Sequence, residues 1–541
     1  MVGNTGFRLS TRMIPIALAA LIATASIPAA NYKATAASSF PFEEITVKQL
    51  QDGYAKGQFT AEDVVTAYLE RIKTYESTYN AFTAMNPNAL EEAREYDRRR
   101  AAGEKLGPLA GVPIVMKEAV DMAGYPSTFG WAQLAPDSGV IELVPEKDAP
   151  VVTRLKEAGA IILGRTNIPA FSESWTSAYN SWAGHTHNSF DPDLVPGASS
   201  AGTATAVSGN FAVLGIAEET GGSIQNPAGA QALVGVKPTF GLVPNTGVVP
   251  LAGSTRDVVG PHARTVYDAA LMLDAIAGYT PADPKTVASI GNMPAKSYTE
   301  KLNKFALKGK RIGLYGPGWR DQPLTEETQA LYDRAVEELE KQGAIVVSDP
   351  FAGTDFAELI KNTASNNGFQ SFIYDMEEYL ENLGPSAPVD SVTELFALTG
   401  KPWEENGPVS WITYYLDADE AMKDPDAVPD LEAFAELRAE FIRSINKVMD
   451  SYKLDAFVFP QMFKETPTIE SGEEIGPTTV SEINVAGLPL VTVPAGYYES
   501  GAPFSLAFFG KMWSEASLLG YAYDYEQATK HRKAPQLIVE Q

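Results

Sequence analysis

Two serines and a lysine carry the chemistry that this sequence offers. Ser223 stands in "EETGGSIQNPAGA", residues 218–230, between a Gly-Gly pair and Ile224. A serine hydroxyl is a weak nucleophile until a neighbouring base takes its proton. The Gly-Gly turn lets backbone N–H groups approach a developing oxyanion unobstructed by side chains. The same stretch also reads as a turn feeding a helix, with Ser223 as its cap. Ser199 and Ser200 sit in a second small-residue loop, "PGASSAGTA". Lys117 ends the apolar run Val112–Met116. Burying an unpaired ammonium costs several kcal/mol, so a buried lysine tends to lose its proton and become a base. If the strand end reaches solvent, Lys117 simply snorkels outward.

The rest of the composition narrows the chemistry. The chain has 541 residues and no cysteine, which excludes a thiol nucleophile, a disulfide framework and Cys-ligated metal. Of four histidines, only His185 and His187 are neighbours, and no third ligand stands at metal spacing; neither a metal nor a cofactor is expected. There is no G-x-S-x-G elbow and no P-loop. The net charge is −26, a surface that repels phosphate backbones, so nucleic acid is not an expected partner.

The amino terminus has the layout of a secretory signal. Arg8 and Arg12 precede the apolar run Met13–Ala25, and Ala34-Thr35-Ala36 supplies an A-x-A site. The apolar run is short for a membrane span. The expectation is a signal over residues 1–36, then one secreted domain over 37–541 with no stable membrane insertion.

The elements that must position the three residues follow from periodicity. Residues 40–100 read as helices, with Thr60 and Asp63 placed as a capping box. Short apolar runs around Val112–Met116 and "GAIILGRTN" read as buried strands separated by the helical "APVVTRLKEA". That alternation predicts an α/β fold. "AGTATAVSGN" is a helix of small residues, able to pack its backbone closely against neighbours; "FAVLGIAEE" is a buried strand after it. Ser223 follows Ser199 by 24 residues, from 199 to 223, a loop–helix–strand–loop unit that can return to the same sheet edge. "RIGLYG", "AIVVSDP", "DAFVFP" and "LPLVTVPAG" add further strands, and residues 351–452 read as acidic, aromatic-rich helix without clear periodicity.

Lys117 in "GPLAGVPIVMKEAVDMAG", the serine pair in "PGASSAGTATAVSGN" and Ser223 in "TGGSIQNPA" together resemble the amidase signature family of Ser-Ser-Lys serine hydrolases. The similarity extends over most of residues 40–284 and 452–535 and leaves out 351–452. The resemblance implies an α/β/α sandwich around a large mixed, mostly parallel sheet. It implies hydrolysis of a small-molecule carboxamide through an acyl-enzyme, without a cofactor. Ser223 would be the nucleophile, Ser199 the proton relay and Lys117 the general base. The backbone at Thr220, Gly221, Gly222 and Ser223 would form the oxyanion hole. In relatives, the loop matching 171–188 lines the pocket, so Trp175, Tyr179 and Trp182 are candidate substrate contacts, with core packing as the alternative. The variable section 351–452 would cover the entrance.

The sequence departs from the family pattern at several points. Ala198 and Ala201 replace glycines around the serine pair, and the relay serine of the family usually follows a cis peptide bond. Glu219 and Gln225 stand where Asp and Arg are usual, and Glu118 and Ala119 where Asp and Asn are common. Two other functions stay in view: a glutamine-hydrolysing component of an amidotransferase, and a catalytically dead extracellular binding protein on the same fold. The oligomeric state is not legible.

Overall fold

The structure, a computed structural model, describes residues 40–540 except 138, 321, 362 and 364–366, together with the strand Tyr32–Lys33. Apart from that strand, the expected signal segment 1–36 lies outside the described residues. Among the described residues no helix is long and apolar enough to cross a membrane.

Eleven strands among the described residues form one sheet. In chain order they are β1 (Phe82–Met85), β2 (Pro113–Lys117), β3 (Ile161–Thr166), β4 (Leu214–Glu219), β5 (Val234–Lys237) and β6 (Val258–Ala263). The remainder are β7 (Arg311–Leu314), β8 (Ile345–Val347), β9 (Ala456–Pro460), β10 (Leu490–Tyr497) and β11 (Pro503–Phe509). Their spatial order is β8-β7-β9-β11-β10-β5-β6-β4-β2-β3-β1. The sheet is mixed: β2 pairs parallel with both β3 and β4, and β7 with both β8 and β9. Every residue of β2, β3 and β4 is buried, as unbroken apolar runs require when helices cover both faces.

The helix Ala61–Tyr79 begins at the expected capping box: Thr60 and Asp63 each accept the other's backbone N–H. It packs Val64, Tyr68 and Ile72 into the main core with Ile114, Ile216 and Leu518. The small-residue helix, Ala201–Ser208, is buried at every position. A Cβ on Gly202 would collide with backbone atoms of Asn167 and Ala81, so the close packing depends on glycine there. Thr203 pins this helix to the sheet, sharing a hydrogen bond of 2.7 Å with Thr166 and donating to the Ile216 carbonyl.

The section 351–452 divides. Helices Phe372–Glu381 and Val392–Thr399 build a separate apolar cluster with Phe129, Phe171 and Leu143. The last helix, Glu432–Tyr452, does carry clear periodicity: Phe434, Leu437, Phe441, Ile445 and Val448 face the core containing Trp319 and Phe457.

Candidate active site

Because β2 and β4 are parallel neighbours, their C-terminal ends meet on one edge of the sheet, where α/β folds place their sites. Lys117 ends β2. The loop before helix Ala201–Ser208 brings Ser199 to the same edge. Lys117 Nζ lies 2.7 Å from Ser199 Oγ, and both residues are fully buried. Lys117 therefore does not snorkel to solvent. The Ala198–Ser199 peptide bond is cis despite the extra Cβ of Ala198, which packs in a small pocket with Ala178 and Ala201. Ser200 joins the two loops. Its hydroxyl donates to the Glu218 carbonyl at 3.1 Å, and its N–H donates to the Ser223 carbonyl.

The turn carrying Ser223 is held from below. Glu219 accepts the N–H groups of Ile224 at 2.7 Å and Gln225 at 3.1 Å. It thus caps the following helix, Gln225–Ala230, so the reading of Ser223 as that helix's cap falls away. The two departures at 219 and 225 answer each other, since the Gln225 amide donates to Glu219 Oε1 at 2.7 Å. Gly222 adopts φ +102°, and a Cβ there would sit 2.6 Å from the Asn226 amide nitrogen. Thr220 donates its hydroxyl to Asp257 at 2.6 Å, and Arg256 Nε donates to the Thr220 carbonyl at 3.0 Å. Behind the turn, His262 Nε2 donates to the Ile224 carbonyl at 2.8 Å. Burial pushes that imidazole down to about 4, so it serves as a neutral donor. Glu118 is also absorbed locally: it accepts the Thr128 N–H at 2.6 Å and lies 3.7 Å from Arg165.

Ser223 opens onto a cavity of about 440 Å³, shared with Thr220 and Gly221. Trp175 lines it, and its indole donates to Glu474 at 3.3 Å. Tyr179 and Trp182 do not line it. They belong to a small hairpin, Tyr179–Asn180 with Gly184–His185, where the Tyr179 ring lies 4.6 Å from His185. The other aromatic walls come from the section 351–452: Phe369, Trp411 and Tyr415. Phe369 packs against Trp411 at 4.8 Å and under the Arg256 guanidinium at 5.0 Å. The sequence reading named none of these three; the aromatic content of the section was the available signal.

It also passed over Glu218. Glu218 Oε2 lies 2.7 Å from Lys117 Nζ, and the pair is buried. Burial pushes the Glu218 carboxyl up to about 7, with Lys117 acting against the rise. The signal was the doubled acid at the end of an apolar strand. Alternation sends 218 and 219 to opposite faces, one toward β2 and one toward the turn.

A buried lysine nitrogen against one serine hydroxyl, one loop away from a second serine that opens to a cavity, suits moving a proton off an attacking hydroxyl. The family model "Amidase" matches residues 63–519. A glutamyl-tRNA(Gln) amidotransferase subunit of Moorella thermoacetica is 32% identical, covering 92% of this chain and 99% of the relative. The structure of a peptide amidase from Stenotrophomonas maltophilia superposes with a TM-score of 0.77 at 32% identity, over 92% of this chain and 99% of that one. An amidase family protein from Bacillus anthracis gives 0.76 at 31% identity, over 91% and 93%. The match over most of the chain settles the family: this protein belongs to the amidase family and is an amide-hydrolysing enzyme.

Proposed function

We propose that this protein is a secreted serine amidase that cleaves a small-molecule carboxamide through an acyl-enzyme. Ser223 Oγ attacks the amide carbon and passes its proton to Ser199. Ser199 passes its own proton to Lys117. The collapsing tetrahedral intermediate takes that proton on its leaving nitrogen, and water then releases the acid. The backbone N–H groups of residues 220–223 hold the oxyanion, in a turn that Glu219 keeps in shape. The observation that carries this reading is the 2.7 Å contact between Lys117 Nζ and Ser199 Oγ, on the sheet edge where Ser223 opens to the cavity.

The aromatic wall of Trp175, Phe369, Trp411 and Tyr415 favours a bulky acyl group, such as the C-terminal residue of a peptide amide or an aryl amide. The identity to glutamyl-tRNA(Gln) amidotransferase subunits supports a second reading, hydrolysis of glutamine within an assembly. The net charge of −26 and the signal-like amino terminus weigh against work beside tRNA.

The deciding experiment is treatment of the mature protein with a fluorophosphonate, followed by peptide mapping. One adduct on the peptide carrying Ser223 is expected, with an amino terminus near Ala37. Labelling at another serine, or none, overturns the assignment of Ser223. Competition with a peptide amide and with glutamine then separates the two readings: protection by the peptide amide alone supports the first.

A further inference from the structure

One buried carboxylate, Glu218, has no part in those steps. It is nevertheless the acid that touches the proposed base. Lys117 Nζ has three close neighbours: Ser199 Oγ at 2.7 Å, Glu218 Oε2 at 2.7 Å and the Glu218 carbonyl at 3.1 Å. Two of the three belong to one residue of β4. They fix the direction of Nζ, and the neighbour left over is Ser199.

The other charged and titratable groups that face this pair have partners of their own. Asp257 takes the Thr220 hydroxyl and the N–H groups of Leu251 and Ala252. Glu219 is taken by Ile224 and Gln225. Glu118, next to Lys117 in sequence, faces Thr128 and Arg165. His262 from β6 is spent on the Ile224 carbonyl. The Glu218 Oε1 contact with Thr220 is long, 3.3 Å, and the single hydroxyl proton of Thr220 goes to Asp257 at 2.6 Å. Among the described residues, Glu218 thus has Lys117 as its one short side-chain hydrogen-bond partner.

We propose that Glu218 is the positioning carboxylate of Lys117, holding Nζ against Ser199 and balancing the ammonium that forms when Nζ takes the Ser199 proton. The proposal rests on Lys117 being the base of the amidase reaction. The proton balance is simple. The Ser223 O–H bond breaks as its oxygen bonds the acyl carbon, and that proton joins Ser199. The Ser199 proton joins Nζ, and later leaves with the amine nitrogen. Glu218 keeps its negative charge throughout, as the carboxylate behind the base of a serine hydrolase does.

A carboxylate beside an ammonium stabilises it, so the Glu218 charge favours transfer of the Ser199 proton to Nζ. Above neutral pH the Glu218 carboxyl, which burial pushes up to about 7, is ionised and able to play this part.

The test is the rate of fluorophosphonate labelling at Ser223 as a function of pH, for the full mature chain and its variants. The wild type should show an acid limb. Glu218→Gln, which keeps the shape and loses the charge, should move that limb to lower pH by about one unit or more and slow the plateau at least about threefold. Glu218→Asp, which keeps the charge, should hold the limb within about 0.3 unit of the wild type. If Glu218→Gln does not fold, Glu218→Thr removes the charge with a smaller side chain and is expected to move the limb the same way. A charge-free variant that folds and keeps the wild-type limb overturns the role of Glu218, because a space-filling residue would change amplitude alone. A wild type that is unlabelled at Ser223, or a Lys117→Ala variant that labels as fast as wild type, overturns the underlying amidase mechanism instead.

Discussion

Around Ser199 nearly every side chain is small and buried, whereas the wall across the cavity, from residues 351–452, is large and aromatic. The first region holds its polar groups through a dense set of hydrogen bonds: Ser200 to Glu218, Glu219 to Ile224, Thr203 to Ile216. The second is held by an apolar cluster of its own, which includes Phe372, Leu380, Leu395 and Trp403. The difference separates two tasks. Catalytic groups need atoms held within fractions of an ångström, which buried polar networks and close backbone contact supply. A substrate wall needs shape and apolar area, which interchangeable aromatic side chains supply. Two carboxylates join the regions: Asp375 takes the Ser254 hydroxyl at 2.6 Å, and Asp121 takes the Tyr379 hydroxyl at 2.8 Å.

Changes on the two sides should therefore fail differently. Ser223→Ala is expected to lower kcat/KM on the order of 10⁴-fold while the melting temperature stays within about two degrees of wild type. Retained turnover in that variant would remove the hydrolytic role from this loop. Gly202→Ala should act on the fold first. Its new Cβ meets the backbone of Asn167 and Ala81, and urea unfolding should report a loss of about 1–3 kcal/mol, with activity falling as the Ser199 loop shifts. A variant as stable as wild type would mean that the helix is not held at contact distance.

Across the cavity, Trp411→Ala should cost some stability, since the ring packs on Phe369 and the apolar cluster, but leave Ser223 labelling by a small fluorophosphonate nearly intact. It should raise KM for a bulky amide about tenfold. An equal loss for small and large probes would show that this wall serves the chemistry and not the choice of substrate.

The smallest effect concerns the joints. Burial pushes the Asp121 and Asp375 carboxyls up to about 6 from an ordinary 3.8. The folded protein thus binds these two protons more tightly than the unfolded chain. Their contribution to stability is full in acid and is lost as pH rises through about 6. Hydrogen exchange in helix Phe372–Glu381, corrected for its intrinsic rate, should speed up a few-fold between about pH 4.5 and 6.5. A flat profile would show that the joints do not depend on those protons.

The same contrast governs what the sequence made legible. Lys117 at a strand end and the Gly-Gly turn before Ser223 are local patterns, and so is the small-residue helix. They pointed to one sheet edge because a loop–helix–strand unit of that length returns there. The aromatic contacts were read less well. Trp175 reaches the cavity, but Tyr179 and Trp182 belong to a hairpin that does not line it. Phe369, Trp411 and Tyr415 come from a section whose helices are set by contacts far away along the chain, so no local pattern marked them. Glu219 stands out as a departure from the family pattern, while Glu218 beside it does not.

By itself, then, the amino-acid sequence determined which groups are available for chemistry, that they lie at the ends of buried strands, and that close packing surrounds them. These follow from residue type and short-range periodicity, which act within a few residues. The tertiary structure alone decided which carboxylate meets Lys117, 101 positions along the chain, and which aromatic rings face Ser223. Such pairings depend on strand order and on the packing of distant helices, and no window of sequence contains both partners.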